Sequence, residues 1–218
     1  MKKRIVINIV IFTVINSLIC VLSNTYSYFS LLELFNFYDE DSYLNLTLLV
    51  LNVSFISSII ITINDLVEEK IQIDKYIKMR SNQKQATYIH IIRLIKEVNL
   101  IVFSKITLDF IFFCVFDRIN FKCFLYNSVL LYASILLWLI LFDLFSNLNI
   151  KNNILVLFFI STICISYILL KYSDIFLLLI IRPYDDNIIF FEVILFKIVA
   201  ISLALCVDVI IKLKKEYY

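Results

Sequence analysis

Residues Asn64 to Asn99 read NDLVEEKIQIDKYIKMRSNQKQATYIHIIRLIKEVN, and this is the only long polar stretch in the chain. On either side of it the sequence is a succession of apolar runs. The 218 residues are 62% hydrophobic and 17% charged. Soluble domains carry roughly 45–50% apolar and about 25% charged residues. Several of the runs are long enough for about 30 Å of hydrocarbon, so the sequence predicts an all-α, polytopic membrane protein. The polar stretch is then a loop held against one membrane face.

Working outward, the apolar runs predict six spans at about 5–22, 43–63, 100–116, 123–145, 154–170 and 188–211, in one transmembrane domain covering 1–218. The first follows Met1-Lys2-Lys3-Arg4 and lacks a small-residue cleavage site, so it reads as a retained span and not a signal peptide. Basic residues set the orientation. With both termini inside, fourteen Lys and Arg fall on the inner side, seven of them in the polar segment, and four fall outside: Arg118, Lys122, Lys171 and Arg182. The positive-inside rule therefore predicts a multi-pass plasma-membrane protein with cytoplasmic termini and a cytoplasmic polar segment. Between spans five and six, the apolar core Ile175 to Ile181 is too short to cross as a helix. It predicts a re-entrant hairpin turning at Arg182-Pro183-Tyr184, with an apolar outer loop as the alternative.

Within the polar segment, Tyr88, Ile91, Ile92, Ile95 and Val98 recur at helical spacing, with His90, Arg93, Lys96 and Glu97 opposite. This predicts an amphipathic helix over about 83–98, lying on the membrane and capped at Ser81 or Asn82, before the chain turns into span three. The tip, Met79 to Lys84, is charged.

Several chemistries are excluded. The chain has no glycine, so a Gly-rich phosphate loop is impossible and it is not itself a P-loop ATPase. The paired glutamates Glu68-Glu69 bring to mind membrane metalloproteases with EExxxR, but residue 73 is isoleucine and His90 is the only histidine. The five cysteines are scattered, with no CxxC pair, and read as small hydrophobes. The sequence therefore predicts neither enzyme activity, nor a metal or cofactor on this chain, nor a nucleic-acid partner.

Charges inside spans are costly and usually face protein or water. Lys105, Asp109, Glu192 and Lys197 are candidates for an intramembrane polar pathway. The plainer reading is a Lys105–Asp109 ion pair, with Lys105 free to snorkel, and with Asp143 and Asp208 wet at the inner interface.

The loop pattern Glu68-Glu69 … Tyr76-Ile-Lys78-Met-Arg80-Ser81-Asn-Gln-Lys84 resembles that of small Gram-positive type-2 ABC transporter permeases. So does the order of six spans, a coupling loop after span two and a hairpin before span six. The resemblance implies a separate ATPase subunit that carries the ATP and docks on Tyr76, Lys78, Arg80, Ser81, Lys84, Tyr88 and Arg93. It also implies a homodimer, or a heterodimer with a second permease, and export of, or immunity to, peptide antibiotics. One departure is that only MKKR precedes span one, which leaves the family's N-terminal elbow helix minimal or missing. The alternatives are a non-transporting immunity or regulatory membrane protein and, behind it, a secondary transporter.

Overall fold

The computed structural model describes residues 2–23, 46–78, 83–116, 121–148, 150–169, 179 and 187–214. Among these the fold is six helices and no strand: α1 (Lys2–Ser23), α2 (Leu46–Lys78), α3 (Gln83–Phe116), α4 (Phe121–Ser146), α5 (Asn152–Leu169) and α6 (Asn187–Lys214). Four of them follow the expected apolar runs to within a few residues. Two segments, Phe124–Ser146 of α4 and Ile189–Lys212 of α6, are long and apolar enough to cross a membrane. Val6–Ile15 and Asn152–Tyr167 are shorter apolar segments.

α2 and α3 depart from expectation. α2 does not end at Ile63 but continues to Lys78, and α3 runs without interruption from Gln83 to Phe116. There is thus no separate surface helix that turns into a third span; the polar segment supplies the distal ends of two long helices. No glycine or proline stands near Asn64 or Asn99 to break either one. An apolar stripe also crosses both boundaries: Ile63, Leu66 and Val67 on α2, and Leu94, Val98, Ile101 and Val102 on α3, are all buried. The buried face of α3 overlaps the expected one at Val98, with Ile91 and Ile95 half-buried, but is turned away from Ile92. It centres on Leu94 and Val98, while Ile92 is 47% exposed.

One core joins α1 to α5, built from Phe12, Phe55, Ile59, Val98, Trp138, Phe142 and Phe159 among others. α4 is the hub, packing on α2, α3, α5 and α6. α6 is peripheral. It lays a narrow stripe, Phe190, Val193, Lys197, Ala204 and Asp208, against the bundle, and Tyr126 of α4 stacks on Phe190 at 4.1 Å between ring centroids. The opposite face of α6 is exposed and mostly apolar, with Phe191, Leu195, Phe196, Val199, Leu203 and Val207. An apolar surface of this extent marks a lipid or protein contact.

Candidate functional site

Lys105 and Asp109 stand four apart on α3, which puts them one turn apart on one face. They form an ion pair, and Lys105 is 1% and Asp109 4% exposed. The lysine does not snorkel to the helix end. Phe12 of α1 and Phe55 of α2 close over its ammonium, with Nζ 5.9 and 5.6 Å from the ring centroids. The two rings lie 5.5 Å apart. A desolvated cation on two ring faces gains about 2 kcal/mol from each contact at most. One turn nearer the start of α1, Asn8 Nδ2 donates to Thr62 Oγ1 at 3.0 Å, a buried α1–α2 bond. Tyr132 of α4 donates to Asn99 Oδ1 at 2.9 Å, and so ties α4 to α3.

A second buried charge cluster lies between α4 and α6. Lys212 Nζ donates to Asp143 Oδ2 at 2.7 Å and also pairs with Asp208, its neighbour one turn back on α6. Asp143 and Asp208 are 3% and 2% exposed, so neither is the wet interfacial carboxylate expected of it. Asn147, in the turn that ends α4, donates from Nδ2 to Asp208 Oδ1 at 2.7 Å.

The four pathway candidates lie on two helices, α3 and α6. Lys105 and Asp109 meet inside the α1–α2–α3 packing. Lys197 is buried in the stripe that α6 lays on the bundle, whereas Glu192 is exposed on the same helix.

Of the residues expected to contact an ATPase, Arg93 is exposed on α3. Tyr76 and Lys78 belong to the last turn of α2, and Lys84 and Tyr88 to the first two turns of α3. Arg80, Ser81 and the capping candidate Asn82 lie outside the described residues. α3 does begin directly after them, at Gln83. At the base of the segment, Glu68 Oε1 accepts from Asn152 Nδ2 at 3.2 Å and from Asn64 Nδ2 at 3.4 Å. This levels the start of α5 with Glu68. α2 continues ten residues past that level, about 15 Å at 1.5 Å per residue.

The expected hairpin between α5 and α6 lies outside the described residues except for Leu179. Its carbonyl accepts from Trp138 Nε1 at 2.8 Å. Trp138 is twelve residues further along α4 than Tyr126, the partner of Phe190. Leu179 therefore sits about 18 Å deeper along α4 than the first turn of α6.

The sequence reading passed over Glu68, Asn147, Asn152 and Lys212 as members of contact networks. One signal was present: Asp208 and Lys212 are four apart, like Lys105 and Asp109. The asparagines gave none, because their partners come from distant helices. Among the described residues, no group of three His, Cys, Asp or Glu side chains is placed to hold a metal ion. Comparison with known proteins finds no matching family model, no matching curated protein and no matching solved structure.

Proposed function

We propose that the chain is the six-span membrane subunit of a bacterial ABC transporter, an exporter whose separate ATPase subunit docks on the paired ends of α2 and α3. The observation that carries the reading is the continuation of α2 ten residues past the level of Glu68, with α3 beginning at Gln83 on the other side of the basic stretch Lys78 to Lys84. Two antiparallel helices make a stiff lever, and a stiff lever transmits a docking event better than a flexible loop does. The exposed apolar surface of α6 fits a bilayer, and the depth of Leu179 along α4 fits a re-entrant connection between spans five and six. In this reading both termini are cytoplasmic, ATP stays on the partner, and the chain pairs with itself or with a second permease. Peptide-antibiotic export or self-protection is the accompanying substrate class, drawn from the resemblance.

Affinity purification of the full-length chain from its own membranes should retain an ATPase. Replacing residues 76–95 with a neutral helical sequence of equal length should release it. Retention after that replacement overturns the docking site.

A second reading is a membrane protein that does not transport and serves an immunity or regulatory partner. It draws on the closure of Phe12 and Phe55 over Lys105, which packs the Lys105–Asp109 pair of α3 into the helix core. Purification without any ATPase, together with retained protection of the cell, would favour it.

A further inference from the structure

The turn between α4 and α5 is held from two sides by two asparagines five residues apart. Asn147, just after α4, donates to Asp208 on α6 at 2.7 Å. Asn152, at the start of α5, donates to Glu68 on α2 at 3.2 Å. Backbone bonds close the two ends of the turn. Asn147 N–H bonds the Asp143 carbonyl at 3.1 Å, Leu148 N–H bonds the Phe145 carbonyl at 3.0 Å, and Leu155 N–H bonds the Lys151 carbonyl at 3.1 Å. Asp208 in turn shares Lys212 with Asp143 of α4. Side-chain bonds thus tie the base of the α2–α3 lever to the start of α5, and the end of α4 to the last turns of α6, with only a short stretch of backbone between the two asparagines. Packing supports the first link, since α2 lies along α5 and Val67, next to Glu68, is fully buried.

We propose that this turn is a relay by which displacement of the α2–α3 lever reaches α6, with Glu68, Asn152 and Asn147 as positioning residues. α6 packs chiefly on α4, so it follows a shift at the end of α4. It rests on the bundle by one narrow stripe, and its opposite face is exposed. Displacing α2 carries Glu68 with it, drags or releases Asn152, and so shifts the turn whose other end grips Asp208. That the input is a docking event at the lever rests on the reading above. The relay rests only on this geometry.

The test is hydrogen exchange of the full-length chain in lipid nanodiscs. Losing one hydrogen bond of this kind speeds local exchange by about threefold to tenfold. Glu68→Ala should therefore speed exchange not only near residues 64–72 and 150–156 but also over 205–214 of α6. Glu68→Gln keeps an acceptor oxygen and should leave α6 near wild type. In an Asn147→Ala background, Glu68→Ala should add nothing further at α6, because the link is already cut. A purely local role for Glu68 would leave 205–214 unchanged, and that result overturns the proposal. An effect on α6 that persists additively in Asn147→Ala overturns it too. Failure of any ATPase to bind the chain would defeat the docking reading and leave these exchange results to stand or fall by themselves.

Discussion

Lys105 and Lys212 are both buried lysines paired with an aspartate four residues away on their own helix, and the fold uses them differently. Lys105 pairs with Asp109 within α3, and the neighbouring helices add aromatic rings. Lys212 receives a second carboxylate, Asp143, from another helix, and so bridges α4 to α6. The first arrangement neutralises a charge so that three helices can close over it. The second uses a charge to fasten one helix to another. Spacing on a helix is the same in both, and what stands opposite decides the role.

The largest effect should come from breaking the sealed pair. Asp109→Asn takes the carboxylate from a lysine that is 1% exposed, and removing one member of a buried pair costs about 3–5 kcal/mol. Thermal unfolding in detergent would read this as a large drop in midpoint. Converting both members, with Lys105→Met and Asp109→Leu together, should recover most of the loss, since an apolar isostere of a buried pair is often neutral or better. If the double variant is stable yet inactive in transport, the pair has a functional role beyond packing.

Next in size is Lys212→Met, which leaves two buried carboxylates facing each other. Its lysine side chain is 10% exposed, so water can relieve part of the cost, and about 3 kcal/mol is expected. Asp143→Asn should cost far less, about 1 kcal/mol, because it leaves a neutral Lys212–Asp208 pair. An Asp143→Asn variant as damaged as Lys212→Met would remove the distinction drawn between the two clusters.

A smaller effect, about 1 kcal/mol, is expected for Trp138→Phe, which loses the donor to the Leu179 carbonyl and keeps most of the ring. The matching readout is faster proteolysis between α5 and α6. The smallest is Leu203→Ala on the exposed face of α6, at 63% exposure, with a stability change within about 0.5 kcal/mol. A clear loss of co-purifying partner in that variant would show protein, and not lipid, on this face.

Much of the helical framework was legible because apolar runs of span length, bounded by charge, have few other ways to satisfy their backbone groups. α1, α4, α5 and α6 illustrate this. The polar segment was misread at its edges. A fall in hydropathy at Asn64 and Asn99 marks a change of surroundings, not the end of a helix, and with no glycine or proline nearby the hydrogen-bonded ladder continues. The apolar stripe of α3 is turned because Ile92 and Leu94 offer similar hydrophobicity on different faces, and only the packed core that Leu94 joins selects between them. Glu192 and Lys197 looked equivalent in the sequence, yet one faces outward and the other is buried.

By itself the sequence determined an all-helical chain, the approximate place of α1, α4, α5 and α6, the pairing of Lys105 with Asp109, and the absence of any phosphate-binding glycine loop. These follow from local composition and from the 3.6-residue period, both of which act over a few turns. The tertiary structure alone decided that Lys212 bridges two helices, that Phe12 and Phe55 close over Lys105, and that Glu68 meets Asn152. Each of these depends on residues 50 or more positions apart, and on which faces of the packed helices are turned together. No local pattern carries that information.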